Sequence, residues 1–174
     1  MKEWGGAVLP WITILSIPIG GWWAYHNFRI TATPEWNPSI SVSAEVLPYD
    51  GKKLVVVHVR PKNIGKVPIT LFGKDNGDIS VTLKAMPVTH AAGRILDKEL
   101  SAVDEIKSLV AENDGEYGLQ PGVEYDDVQY FVVPKPQATK YYVVSVELDW
   151  PYEGKASDAY NVDSSVVVKV EPKD

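Results

Sequence analysis

From Ile40 onward the chain alternates apolar and polar side chains with a period of two. Ile40, Val42, Ala44 and Val46 alternate with Ser39, Ser41, Ser43 and Glu45, and Val55, Val57 and Val59 share one face of the run from Leu54 to Arg60. Val67, Ile69 and Leu71 follow, then Ile79, Val81, Leu83 and Ala85 against Ser80, Thr82 and Lys84. Later runs set Val128, Tyr130 and Val132 on one face, then Tyr142, Val144, Val146, Leu148 and Trp150, then Val162, Ser164, Val166, Val168 and Val170. A period of two gives each strand one buried and one wet face, as in antiparallel sheets packed on one side. Seven such strands predict a mainly β fold, a sandwich of two sheets.

Turn residues fall where the alternation breaks. Tyr49-Asp50-Gly51-Lys52 predicts a tight hairpin, and the Asn76-Gly77 pair inside Asp75–Asp78 predicts a second hairpin loop, because both tolerate positive φ. Gln120-Pro121-Gly122 precedes the fifth strand, and Glu153-Gly154-Lys155 lies before the last. Between Pro87 and Val123 the pattern changes. Leu100, Val103, Ile106 and Val110 stand at helical spacing, with Asp97 or Ser101 available as a cap. That spacing predicts one short inserted helix over about 97–111.

The N-terminal stretch has neither period. Trp4 to Tyr25 contains no charged side chain, and as a helix it would rise roughly 33 Å, the thickness of a bilayer's hydrocarbon layer. Trp4 at one end and Trp22, Trp23 and Tyr25 at the other are expected at the membrane interface, where an apolar ring with a polar edge is favoured. Pro10 and Pro18 suit a membrane span better than a water-exposed helix. A cleaved signal peptide fits poorly, since Trp22-Trp23-Ala24 is not a small-residue cleavage site. The expected organisation is a membrane anchor over 1–29, spanning at about 4–25, and a β-sandwich domain over 30–174. Glycines 5, 6, 20 and 21 form no GxxxG pair. Lys2 flanks one end and Arg29 the other, so charge orients the span only weakly, with the domain outside the cytoplasm.

Charge then narrows the partners. After Arg29 the chain holds 22 acidic and 15 basic side chains, a surface that repels phosphate backbones, so nucleic acid is not an expected partner. Other membrane proteins and the bilayer are. With no cysteine, disulfides, thiolate metal sites and cysteine nucleophiles are excluded.

The segment Val57-His58-Val59-Arg60-Pro61-Lys62-Asn63-Ile64-Gly65-Lys66-Val67-Pro68-Ile69 resembles a strand–turn–strand unit of Ig-like and fibronectin-III-like bacterial sandwiches. Leu119-Gln120-Pro121-Gly122 is similar to a connector in such domains. The resemblance is one of fold and implies no activity, since that fold carries many. The antibody-type Cys…Trp…Cys pattern is missing.

Candidate chemistry is sparse. His26, His58 and His90 share no ligand-like spacing, so no metal is expected from them. Asp75, Asn76 and Asp78 read as a turn, whereas Glu112, Asp114 and Glu116 around Gly115 form an acidic loop that Asp126-Asp127 would have to join to bind calcium. There is no G-x-S-x-G elbow, S-x-x-K set, P-loop or G-x-G-x-x-G, so no catalytic residue, cofactor or enzymatic activity is expected. Trp150 is expected inward, while Tyr152 and Tyr160 near it are candidate partner contacts, because interfaces favour tyrosine and tryptophan. Two functions fit: a noncatalytic accessory or structural subunit of a membrane-associated assembly, or a membrane-anchored module that binds a peptide or glycan through sandwich loops.

Overall fold

The computed structural model describes residues 16–24, 36–73, 76–87, 93–133, 141–152 and 155–170, with the backbone alone for 151, 152 and 155–159. The chain divides into two units, Met1–Glu35 and Trp36–Asp174. In the first, residues 16–24 form a helix, α1. Among the described residues no helix is long and apolar enough to cross a membrane. The rest of the uncharged run, including Trp4 and Tyr25, lies outside the described residues.

Among its described residues the second unit contains nine strands: β1 (Pro38–Tyr49), β2 (Lys52–Asn63), β3 (Ile69–Leu71), β4 (Asp78–Ala85), β5 (Ser101–Ile106), β6 (Tyr117–Leu119), β7 (Asp127–Val133), β8 (Tyr141–Tyr152) and β9 (Lys155–Lys169). All seven runs of alternation form strands, and β5 and β6 are additional. One sheet has the order β1-β2-β7, the other β5-β4-β8-β9, and β3 pairs with β6 in a two-stranded ribbon. Every pairing within them is antiparallel. Val55, Val57, Val59 and Phe131 of the first sheet join Ile79, Val81, Leu83, Val144, Val146 and Leu148 of the second in a single buried cluster. Two sheets sharing one apolar interior make a β-sandwich.

β1 and β2 meet in a two-residue turn. Tyr49 pairs with Lys52, and both residues between them have positive φ, 43° at Asp50 and 72° at Gly51. Two successive left-handed residues make the turn whose twist matches that of the strands, and Asp-Gly is its preferred sequence. The second expected hairpin is not one. β3 pairs with β6 while β4 pairs with β5 and β8, so the connection through Asn76-Gly77 carries the chain from the ribbon into the four-stranded sheet. Gly77 still needs its φ of 90°, and Gly73 N–H donates to Gly77 O at 2.8 Å to close the bend.

The helix expected over 97–111 is corrected to three separate pieces. Asp97–Glu99 is a single 3-10 turn, Ser101–Ile106 is β5, and only Leu109–Glu112 is α-helical, labelled α2. The spacing of Leu100, Val103, Ile106 and Val110 does not mark one buried stripe, for Val103 is 43% exposed whereas Val110 is fully buried. Without β5, one whole edge of β4 would present unpaired N–H and C=O groups. β5 satisfies that edge with the register Val81↔Ile106, Thr82↔Glu105 and Leu83↔Asp104 before a bulge at Leu83/Lys84. Backbone pairing there outweighs a weak helical pattern. α2 begins at neither Asp97 nor Ser101 but at Ser108, whose Oγ accepts from Ala111 N–H at 2.9 Å. It turns Leu109 and Val110 into the core.

Among the described residues one polar side chain is fully buried. Asn63, at the end of β2, donates through Nδ2 to Val67 O at 2.7 Å and Leu119 O at 3.1 Å, and its Oδ1 accepts from Gly65 N–H at 2.9 Å. Its own carbonyl accepts from Gly122 N–H at 2.7 Å. Through its side-chain amide and its backbone carbonyl, one residue thus ties together the bend after β2, the end of β6 and the Pro121-Gly122 connector. Both segments that resemble Ig-like sandwiches converge on it.

Candidate functional site

Three regions of the sandwich carry chemistry, and the turns and registers above place each of them. The first is an aromatic cleft where the chain enters the domain. β3 and the bend after it bring Pro68, Ile69, Thr70, Phe72 and Asn76 against Trp36 and Trp150, enclosing about 350 Å³. Trp150 is 8% exposed and Phe72 is 58% exposed, so the cleft has a buried floor and an open rim. Tyr160 pairs with Trp150 across β8 and β9 and stacks on it, with ring centroids 5.8 Å apart and planes at 24°. The Trp36 Nε1 atom is buried and, among the described residues, has no hydrogen-bond partner. A buried unpaired donor is costly.

The inward position of Trp150 agrees with the alternation. Tyr160, a candidate contact, lies half exposed beside the cleft, and the side chain of Tyr152 is outside the described residues. Trp22 and Trp23 of α1 are 66% and 63% exposed. Phe72 and Pro68 were not singled out from sequence. They reach the cleft only because β3 pairs with β6, a long-range contact that no local pattern encodes.

The second region is the outer face of the three-stranded sheet. Register defines its rows: Leu47–Leu54–Val132, Glu45–Val56–Tyr130 and Ser43–His58–Val128. Leu47, Tyr130 and Val132 are 41%, 61% and 43% exposed, so the corner nearest the β1–β2 turn is an apolar surface open to water. The other half of this face is polar. His58 Nδ1 lies 3.0 Å and Arg60 Nε 3.5 Å from Asp126 Oδ1, and Lys62 Nζ lies 3.6 Å from Glu124. His58 is therefore a strand residue engaged by a carboxylate; His26 and His90 lie outside the described residues.

The third region is acidic. Asp127 joins Glu112, Asp114 and Glu116 around an open notch of about 380 Å³, whereas Asp126 turns away to His58 and Arg60. The Tyr117 hydroxyl donates to Asp127 Oδ2, and Tyr117 meets Tyr125 edge to face at 6.0 Å. Burial, the hydrogen bond to Asp127 and that carboxylate's charge hold the Tyr117 phenol protonated well above the usual phenol range. Among the described residues no three or more His, Cys, Asp or Glu side chains are grouped so as to hold a metal ion. On the outer face of the four-stranded sheet, Asp149 lies in register with Asp78 and beside Glu147. Burial, then the charges of Glu147 and Asp78, push its carboxyl above the usual carboxylate range.

No family model matches the chain, and no curated protein matches it. Among solved structures it is similar to Spo0M, the sporulation control protein of Bacillus subtilis, at 17% identity and a TM-score of 0.36, over 76% of this chain and 48% of that one. It is also similar to β-glucosidase 3B of Thermotoga neapolitana, at 17% identity and a TM-score of 0.32, over 79% of this chain and 17% of that one. The chain thus spans about half the length of the first and a small part of the second.

Proposed function

We propose that this chain is a noncatalytic accessory or structural subunit of a membrane-associated assembly, held by a single span over about 4–25 and docking through its β-sandwich on the extracytoplasmic side. The observation that carries the reading is a pairing. An uncharged 22-residue run is joined to a sandwich that keeps an apolar corner, Leu47, Tyr130 and Val132, open on the outer face of a sheet. Outer sheet faces are ordinarily polar, and an apolar one marks a contact surface.

Strand order supports an Ig-like reading of the sandwich. Without the β3–β6 ribbon, the first, second and fifth strands share one sheet and the third, sixth and seventh the other, as in immunoglobulin constant domains. The fourth strand, β5, differs by pairing with β4 in the second sheet.

The test is purification of the full chain in mild detergent from its native membranes, with mass spectrometry of what accompanies it. A subunit brings the same partners at fixed ratio. A chain that elutes alone and monodisperse contradicts the reading.

One observation favours a second function, a membrane-anchored module that binds a peptide or glycan. The cleft formed by Trp36, Phe72 and Trp150 offers aromatic faces at a loop-rich end of the sandwich. Quenching of tryptophan fluorescence by proline-rich peptides or oligosaccharides, lost in Phe72→Ala, would support it; no quenching by either class rejects it.

A further inference from the structure

We propose that Asn76 is a site of covalent self-modification: its side-chain amide is lost as ammonia to attack by the Gly77 nitrogen, and water then leaves a carboxylate on the lining of the aromatic cleft and loosens the bend between β3 and β4. The inference stands apart from the subunit reading and concerns the cleft alone.

The chain has six asparagines: Asn27, Asn37, Asn63, Asn76, Asn113 and Asn161. Loss of the amide needs a following backbone nitrogen that can reach the side-chain carbon, a side chain free to turn toward it, and water. Asn37 fails because Pro38 follows, and a proline nitrogen has no proton to give up. Asn63 is fully buried, with Nδ2 held by the Val67 and Leu119 carbonyls. Asn113 Nδ2 donates to Leu109 O at 2.9 Å, and Asn161 Nδ2 to Glu147 Oε1 at 3.1 Å. The residues after these three, Ile64, Asp114 and Val162, each set a Cβ beside the attacking nitrogen. Asn27 lies outside the described residues. Asn76 differs on every count. It is exposed, and glycine, which has no Cβ, follows it. Among the described residues neither its side-chain amide nor the Gly77 N–H makes a hydrogen bond. Asparagine is one of the thermolabile residues, so an open site of this kind is where the chain should change first.

The atoms balance with water alone. Hydroxide takes the Gly77 amide proton, and the nitrogen bonds to Asn76 Cγ to close a succinimide ring. Nδ2 leaves as ammonia, carrying a proton from water. A water molecule then opens the ring at Cγ, giving aspartate, or at the backbone carbonyl, giving isoaspartate. Nothing is oxidised or reduced. Either product places a carboxylate in a lining whose other members, Trp36, Pro68, Ile69, Thr70, Phe72 and Trp150, carry no charge. The isoaspartate also adds a methylene to the main chain between two backbone hydrogen bonds, Phe72 N–H to Asn76 O at 3.2 Å and Gly73 N–H to Gly77 O at 2.8 Å. The bend cannot keep both at their present spacing, and Phe72, the open rim of the cleft, moves with it.

The test is to incubate the full chain in detergent, folded, in mildly alkaline water labelled with heavy oxygen, and to map its peptides by mass. Asn76 should convert at least tenfold faster than any other described asparagine, with heavy oxygen in the product, and more slowly in mildly acidic buffer. In the isoaspartate fraction, amide hydrogen exchange at Phe72 and Gly73 should quicken at least tenfold. Asn76→Gln, which would need a larger ring, should stay unmodified over the same period, and Asn76→Ser should do so with no amide to lose. Because Asn76 is exposed, both variants should keep the melting temperature of fresh protein. Conversion no faster than at Asn63 or Asn161 overturns the proposal. So does conversion only after unfolding in urea, which would show that the bend protects the site, and so does unchanged exchange at Phe72 in the isoaspartate fraction.

Discussion

Asn63 is the residue on which most of the local geometry near the chain's entry depends. Its side chain makes three hydrogen bonds to backbone atoms in a fully buried site. Asn63→Ala leaves the Val67 and Leu119 carbonyls without that donor, and stability should fall by about 2–4 kcal/mol, read from urea unfolding at an unchanged m-value. Asn63→Asp should be worse, because a carboxylate would face two carbonyl oxygens without water. Asp149 acts in the opposite direction. Its carboxyl is raised above the ordinary value of 3.8, so the folded state binds its proton more tightly than the unfolded state does. Its ionisation therefore costs stability as pH rises from about that value through the raised one, and the cost persists at neutral pH. Asp149→Asn should melt higher than wild type at neutral pH. The gap should shrink as both are acidified toward the ordinary carboxylate range, and a lower melting point at neutral pH would contradict the assignment.

At the scale of elements, the β1–β2 turn is the most exacting. Gly51 has a φ of 72°, and nothing lies within 4 Å of where a Cβ would stand, so space does not limit substitution there. Backbone conformation does. Gly51→Val should cost about 1–2 kcal/mol by thermal melting, through left-handed strain alone. This turn was legible because Asp-Gly lies between two long alternating runs, and the seven strands were legible for the same reason. β5 and β6 were not. β6 has three residues, too few to show a period, and β5 exposes nearly all of its side chains, so no buried face marks it. Its pairing with β4 is set by the backbone, and hydrogen bonds of that kind leave little trace in side-chain order. The continuous run Leu54-Val55-Val56-Val57 held a signal the period-two reading passed over: it is apolar on both faces, and its outer members, Leu54 and Val56, lie in register beside the exposed Val132 and Tyr130. The cleft was half legible, since Trp150 was expected inward while Phe72 arrives through the β3–β6 ribbon.

At the scale of the whole chain, the buried cluster, among the described residues, is drawn from residues 40–170. A protein shortened to begin at Trp36 should therefore unfold in a single cooperative transition, with a melting temperature within a few degrees of the full chain's. Separate transitions would show that the interior depends on the preceding segment. The same division frames the membrane expectation, whose uncharged run belongs to the other unit.

β1 runs twelve residues without interruption, from beside the aromatic cleft to the turn that borders the apolar corner. At about 3.3 Å per residue this sets the two ends roughly 36 Å apart. The paired strands make that separation a stiff yardstick. A molecule held at the corner and a tether pulling at Trp36 would feel one another through a rod rather than a string, so lengthening the hairpin by two residues per strand should shift their spacing by a fixed step of about 7 Å.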